Sequence, residues 1–484
     1  MNNSILNSIP FSSLKRPIIA IVGSGFSGTL VAVHLLRMAA QPVTIILIDR
    51  NGEYGRGVAY STTLSLHLLN VPAGKMSAFP DEPDHFLTWL HDAGYVTIEA
   101  ATFVSRHLYG SYVQSLLEQA IAGAPAHVTL HRVMDEAIAI EVINDRTTLR
   151  LRNGTELQAD KVVLALGNFQ AALPTPFAAL PRYKSYVRNA WAKGAISGLK
   201  ANDPVLIVGT GLTMVDAVIA LREQGHQGSI YAVSRHGLRP QRHQPYIPYP
   251  NQLAVSTAPK TARGLVRWVR NEVQLAIARG YDWRAVIDAL RPISQPLWQR
   301  LSTTEQRRFL RHAKPYWEVH RHRVAPQMAN ILECAVAQGQ LMYQSGRVQS
   351  CYVEGDRVHL MIQPRHQTTQ TALTVCRILN CTGFNCDYQQ LPHPFIDSLR
   401  TQNLIQFNPI RLGIETTNNG AVIQANGKAS DILYTLGTPR KGNLWETTAI
   451  PELRVQAQAL AAEILNSLGA TSSMLSPTAL APRW

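Results

Sequence analysis

Three glycines, Gly23, Gly25 and Gly28, stand in the spacing G-x-G-x-x-G, and a carboxylate, Asp49, follows about 20 residues later. Gly23 permits a tight turn, Gly25 lets the backbone come close to a pyrophosphate, and Gly28 allows a helix to pack closely on a strand. The first amides of that helix, at its positive dipole end, are expected to face phosphates, and Asp49 to accept hydrogen bonds from a ribose. Ser24, Phe26 and Ser27 between the glycines, and Arg50 after the acid, belong to the same predicted site. Glycines alone mark ordinary turns, so the array needs its flanking elements. An apolar run Ile18–Val22 precedes it, a helix-compatible run Thr29–Met38 follows, and a second apolar run Val43–Ile48 leads to Asp49. Strand, glycines, helix, strand and acid together predict a dinucleotide site.

The pattern restarts at Pro204–Gly209, PVLIVG. Gly209, Thr210, Gly211, Leu212 and Thr213 form the second turn, with a helix over Met214–Arg222 and a strand over Ser229–Ser234. An internal repeat of the strand–helix–strand unit means two nucleotide-binding domains. Met214 stands where a third small residue would sit, which implies looser helix–strand contact or compensation by a neighbour. Where the first unit has Asp49, the second has Ser234, Arg235 and His236. An acid there repels a 2′-phosphate and Arg235 pairs with it, which favours NADPH over NADH. The plainer alternative is a surface arginine after a strand.

The elements that must position these residues read as an α/β chain of two Rossmann-type, doubly wound domains. Residues 16–200 and 375–467 are assigned to the first domain and 201–374 to the second, with 238–338 a helical insertion and 1–15 and 468–484 loose tails. Gly52 to about Pro83 is rich in Gly, Pro and small polar residues, and a long irregular segment in a compact domain is usually functional. A helix is predicted over Tyr109–Ala122, and Val128–His131, Ala137–Val142 and Thr147–Arg152 read as a β meander. KVVLALG, ending at Gly167, and RILNCTG, ending at Gly383, are similar buried strands, and DILYTLG ends at Gly437. A helix over Ile450–Leu465 closes the fold.

Of 484 residues, 46 are Lys or Arg and 32 Asp or Glu, a formal net charge of +14. The basic residues are scattered or helical and form no block that reads as a nucleic-acid or membrane-binding tail. Two polyanionic dinucleotides give the protein its own reason to be basic. Cys334, Cys351, Cys376, Cys381 and Cys386 contain no C-x-x-C pair, which disfavours a zinc ribbon and a redox dithiol and fits reduced strand and turn thiols. No metal site stands out. The first residues carry no evident signal peptide and no apolar stretch is long enough to span a membrane, so a cytoplasmic location is expected.

The two glycine motifs, the LALG and NCTG strand ends and the terminal LGTPRKGNLWETTAIPELR resemble the two-dinucleotide flavoproteins. More closely, RGVAYSTT…HLLNVPAGKMSAFPDEPDHFLTWL, VGTGLTMVD and RFLRHAKPYWEVHRHRVAP resemble the bacterial FAD-NAD(P)-binding protein family, whose broader relatives include class B and N-hydroxylating flavin monooxygenases. The resemblance runs from about Pro17 to Leu465. It implies FAD on the first motif and NADPH on the second, with the second domain inserted into the first. It further implies a flavin ring near His67, Asn70, Val71, Pro72, Met76 and Ser77, with Gly437, Trp445, Glu446 and Thr447 ahead of a helix that faces the pyrimidine edge. Glu446 and Thr447 read equally as helix caps. His67 is a candidate proton donor beside the flavin, although a satisfied structural histidine accounts for it as well. Asn70 is the candidate hydrogen-bond partner of the flavin. The groups Arg239, Arg242 and His243, and Arg321, His322 and Arg323, are candidates for binding an anionic substrate or cofactor phosphates.

Two patterns of the superfamily are missing. The motif F-x-G-x-x-x-H-x-x-x-W is not found around Tyr183–Trp191, and no adjacent cysteine pair suits a disulfide reductase. The resemblance therefore implies an NADPH-using flavoprotein oxidoreductase, a monooxygenase that activates molecular oxygen and hydroxylates a small molecule, with nitrogen suggested only by the broader relatives. An electron-transfer reductase without oxygen insertion, and a non-catalytic protein that reports redox state through bound dinucleotides, are the alternatives.

Overall fold

The computed structural model describes residues 16–143, 146–180, 183–192 and 194–474. Strand β1 (Ile18–Val22) leads into helix α1 (Phe26–Met38) and strand β2 (Val43–Asp49). Alternate residues of β1 face opposite cores: Ile19 and Ile21 join one cluster, Ala20 and Val22 the other. That two-sided burial is why the strand reads as an unbroken apolar run. Short helix α2 (Gly57–Tyr60), α3 (His85–Asp92) and α4 (Arg106–Ala122) follow. Ser105 caps α4 by accepting from the amide of Leu108 at 3.2 Å, so this helix begins before the predicted Tyr109.

Strand β3 (Val128–Met134) pairs in parallel with β2 along its whole length. It is thus no part of the meander that the sequence predicted. The crossover through α4 brings the chain back to the same end of the sheet, which requires a parallel partner. The meander proper is β4 (Ala137–Ile143), β5 (Arg146–Leu151) and β6 (Glu156–Ala159). Strand β7 (Lys161–Leu164) then takes the place beside β1.

The second unit comprises β8 (Tyr186–Val187), β9 (Val205–Val208), α5 (Leu212–Glu223) and β10 (Ile230–Ser234). Its helical insertion contains α6 (Ala262–Ala278), α7 (Trp283–Ala289), α8 (Ser294–Gln299), α9 (Thr303–His312), α10 (Lys314–Arg321) and α11 (Pro326–Ala337). Strands β11 (Leu341–Glu354), β12 (Arg357–Pro364), β13 (Thr371–Val375) and β14 (Arg377–Asn380) complete it. The sheet order is β13-β12-β11-β10-β9-β14-β8. Strands β8 and β14 thus pair inside the second sheet, although the predicted boundaries at 201 and 375 put both in the first domain. The cause is the repeat itself: RILNCTG resembles KVVLALG because β14 flanks β9 as β7 flanks β1.

The chain returns through α12 (Pro394–Thr401), β15 (Ala421–Ile423), β16 (Ala429–Thr435), α13 (Lys441–Leu444) and α14 (Ile450–Met474). The first sheet is ordered β15-β16-β7-β1-β2-β3. The two connections between the sheets touch where Phe169 bridges Asn385. Helix α14 continues to Met474, past the predicted start of a loose tail at 468, its single Gly469 not ending it. The predicted tail 1–15 and the remainder of the predicted tail 468–484, residues 475–484, lie outside the described residues.

Candidate functional site

The turn after β1 is fixed by contacts that only glycine tolerates. Gly23 has φ +101°, and a Cβ on it would lie 2.3 Å from the carbonyl oxygen of Ala165. A Cβ on Gly28 would lie 1.9 Å from the oxygen of Gly23. Gly25 differs, since its Cβ would meet only Gly57 Cα at an ordinary 3.5 Å. Packing therefore leaves Gly25 free to carry a side chain, and its bareness keeps the start of α1 open to a ligand. Gly25 caps α1 without a side chain, so the amides of Phe26, Ser27 and Gly28 lack helical acceptors. Asp49 accepts from Ser24 Oγ at 2.7 Å and from the amide of Asn51 at 2.8 Å, one contact to each carboxylate oxygen. Each oxygen keeps a lone pair for a ribose hydroxyl, and exposed Arg50 follows. An open helix start beside an oriented carboxylate fits an FAD pyrophosphate and ribose.

The second turn repeats this plan. Gly209 has φ +107°, and its Cβ would lie 2.3 Å from the oxygen of Cys381, the counterpart of Ala165. Gly211 has nothing within 4 Å of a built Cβ, and it caps α5 so that the amides of Leu212 and Thr213 are open. Thr210 Oγ1 donates to Ser234 Oγ at 2.8 Å and ties the turn to the end of β10. Met214 is fully buried among Val205, Ile207 and Leu379, so a large side chain is accommodated by the core.

Arg235 opens onto a cleft of about 650 Å³ lined also by His236, Arg311, His312, Arg347, Arg365 and His366, with no Asp or Glu in its wall among the described residues. Arg365 Nη1 donates to His236 Nδ1 at 2.7 Å. Burial and then Arg365, Arg235 and Arg347 hold the His236 pKa below its ordinary value, which suits the ring to accept that bond. The motif identified Arg235. It missed Arg347 and Arg365, which the β11–β12 pairing brings to the same edge, Arg347 opposite Gln363 and Gly346 opposite Pro364. Arg311 arrives from the insertion, and no local pattern announces it.

The predicted flavin-side loop is divided. Both ring nitrogens of His67 are engaged: Nδ1 with Thr62 Oγ1 at 2.8 Å and Nε2 with the carbonyl of Asp216 at 3.1 Å. Burial keeps its pKa below the ordinary value, despite the opposing effect of Asp216. His67 therefore ties this loop to α5 through both ring nitrogens, which fits the structural reading of this histidine. Met76 is 2% exposed within the first core, and Ser77 Oγ donates to the carbonyl of Glu82 at 2.6 Å, so both side chains turn inward. Asn70, Val71 and Pro72 are half-buried. The carbonyl of Asn70 accepts from His243 Nε2 at 3.0 Å, while its side-chain amide has no partner among the described residues.

Gly437 reaches the first glycine turn, its built Cβ lying 3.6 Å from Ser27 Oγ. Its amide donates to Gln456 Oε1 at 3.1 Å, Gln456 Nε2 donates to Thr447 Oγ1 at 2.8 Å, and Thr447 Oγ1 donates to the Gly437 carbonyl at 3.2 Å. Trp445 and Glu446 turn the other way, toward the insertion. The Trp445 ring stacks on Trp298 with centroids 5.0 Å apart, and Glu446 accepts from Trp317 Nε1 at 2.7 Å. Distant aromatic partners thus hold both of these side chains. Gly167 and Gly383 have φ +62° and +92° on the two connections between sheets, with open space around a built Cβ.

The two predicted anion-binding segments meet, Arg242 bridging Val324, but most of their arginine side chains already have partners within the chain. Arg239 lies over Tyr343 at 4.9 Å, and Arg242 donates to Asn330 at 2.6 Å. Arg323 pairs with Asp288, and Arg321 lies 3.9 Å from both Glu446 and Glu452. Among the described residues no cluster of His, Cys, Asp or Glu is suited to a metal, all five cysteines are free, and no helix is long and apolar enough to cross a membrane.

Comparison with known proteins agrees with this geometry. Residues 20–169 match the model of the FAD-NAD(P)-binding family. The chain is 28% identical over 269 residues to an L-aspartate N-monooxygenase (nitrosuccinate-forming) of Streptomyces cremeus, and 31% identical over 265 residues to one of Streptomyces davaonensis. These matches take in 47% and 45% of this chain, and the chain spans 40% of the length of each curated relative. In fold it is similar to the reduced form of ornithine hydroxylase from Pseudomonas aeruginosa, with a TM-score of 0.63 at 15% identity, covering 94% of this chain and 100% of that one. Residues 20–169 thus match the FAD-NAD(P)-binding family model, within a chain whose fold is similar to that of the ornithine hydroxylase.

Proposed function

We propose that this protein is an FAD- and NADPH-dependent monooxygenase that hydroxylates the nitrogen of a small amine, with a carboxylate-bearing amino acid as the first substrate class to test. One observation carries the reading: a single chain holds two glycine-turn units, the first ending in a carboxylate and the second in an arginine-lined cleft. The matched relatives, named as L-aspartate N-monooxygenases, supply the nitrogen and the amino acid. FAD, when bound, supplies hydride acceptance from NADPH and the activation of oxygen. The chain's own residues then bind and orient. The open amides of Phe26, Ser27 and Gly28 hold the pyrophosphate, Asp49 holds the ribose, and the amides of Leu212 and Thr213 hold the second dinucleotide. Val71 and Pro72 wall the flavin side against water, and the unpartnered amide of Asn70 offers a hydrogen bond there.

The test is to reduce the holoprotein with NADPH in the absence of oxygen, then add L-aspartate with isotopically labelled oxygen. Bleaching of the flavin followed by label in an N-oxygenated product is the expected result. Bleaching with no labelled product across a panel of amino acids and diamines would return the protein to the electron-transfer reductases. If NADPH leaves the flavin oxidised, the second nucleotide site is wrong.

A further inference from the structure

The arginine-lined cleft is assembled from two parts of the chain. Arg235 directly follows β10 and Arg365 directly follows β12, while Arg347 lies on β11, all at one edge of the second sheet. Arg311 and His312 form the last turn of α9 in the helical insertion. The insertion is anchored beside this cleft. The His236 ring lies 6.0 Å from that of Tyr316 on α10, the amide of Gln241 donates to the Val319 carbonyl at 2.9 Å, and the amide of Val324 donates back to Gln241 at 2.9 Å.

One exposed arginine after a strand needs no partner. Four guanidinium groups line one cleft, and among the described residues no carboxylate in its wall offsets their mutual repulsion. A phosphate monoester relieves it. It is close to a dianion at neutral pH, and its three terminal oxygens match the planar forks of arginine. NADPH carries such a group beyond NADH, and the end of the second strand of a dinucleotide unit is where it lies.

We infer that Arg311, contributed by the helical insertion, is a specificity determinant for the phosphorylated cofactor, closing over a 2′-phosphate held by Arg235, Arg347 and Arg365. Cofactor binding then clamps the insertion onto the nucleotide domain. The inference rests on the NADPH reading proposed above, but it assigns part of the discrimination to a residue outside the dinucleotide motif.

Adenosine 2′,5′-bisphosphate and adenosine 5′-monophosphate separate the two ideas when titrated calorimetrically into the FAD-loaded protein. The wild type is expected to prefer the bisphosphate by at least tenfold, about what one or two charge-assisted contacts provide. Arg311→Ala should weaken the bisphosphate by roughly tenfold and leave the monophosphate within about twofold. Hydrogen exchange in 303–321 should slow on adding the bisphosphate to the wild type, and not in Arg311→Ala. An Arg311→Ala protein that binds the bisphosphate like the wild type, while Arg235→Ala does not, overturns the role of Arg311 and leaves the NADPH reading standing. A wild type with no preference overturns both. Arg311 is exposed, so its replacement leaves the fold intact and every outcome interpretable.

Discussion

At the scale of single residues, glycines in one motif do different work, and the difference can be measured. Gly28 is required by the protein itself, since its Cβ would strike the Gly23 carbonyl oxygen, whereas packing leaves room for a side chain at Gly25. Gly28→Ala should therefore destabilise even the flavin-free protein, by ~1–3 kcal/mol, the usual cost of overpacking. Gly25→Ala, with φ −64° and ψ −171° already open to alanine, should cost no more than ~1 kcal/mol, the penalty of a poorer cap. Yet it should lose bound flavin on desalting. Thermal melts of the flavin-free proteins and flavin absorbance after gel filtration check both halves, and equal stability losses would refute the division. The glycines were legible in the sequence because their demands are local. The partners of His67 and Trp445, the Asp216 carbonyl and the Trp298 ring, were not, because they lie 149 and 147 residues away.

At the scale of elements, legibility followed the periodicity of burial. Strands β1, β7 and β9 are covered on both faces and stand out as apolar runs, while β3 was misassigned because its partner is decided by the crossover before it. Helix α1 is buried nearly all round, which conceals a polar residue in its middle. His34 is 4% exposed, packs edge-on against Phe79 at 5.7 Å, and its Nε2 has no hydrogen-bond partner among the described residues. Burial, reinforced by Arg37, lowers its pKa from 6.5 to about 4. The sign follows from linkage: below pH 6.5 the unfolded chain binds a proton at this site that the folded chain refuses until about pH 4. Stability should therefore fall as pH drops through that window and level off beneath it. His34→Leu should remove up to about 1.4 kcal/mol per pH unit of that slope while leaving stability above pH 7 nearly unchanged. Urea unfolding from pH 7 to pH 4 measures it, and parallel curves for the two proteins would show that His34 titrates normally.

At the scale of the whole molecule, the helical insertion ties together the two ends of the proposed chemistry. One side of it supplies Arg311 to the arginine-lined cleft, and the other grips the terminal segment that reaches the first glycine turn. Trp298 Nε1 donates to the Gly442 carbonyl at 2.7 Å, Arg291 meets Glu452 through two bonds of 2.7 and 2.9 Å, and Trp317 holds Glu446. Buried Glu446 is the keystone of this joint. Burial raises its pKa, but Arg321, then His322 and the Trp317 bond, outweigh that and leave it below the ordinary value of 4.5. It therefore contributes stability as an anion above that value, and the contribution is lost as pH falls through its lowered folded pKa. Glu446→Gln keeps an acceptor for Trp317 but leaves Arg321 beside one carboxylate, Glu452, which Arg291 already pairs. Breaking a buried pair in this way costs about 3 kcal/mol or more, so the urea midpoint at pH 7 should drop by that equivalent and the deficit should shrink on acidification below 4.5. Trp317→Phe, which removes one hydrogen bond and no charge, should cost only about 1 kcal/mol with no such pH dependence. If the two variants lose stability equally and in parallel with pH, the joint is held by packing of the aromatic cluster around Trp298 and Trp445, and the buried charge is incidental to it.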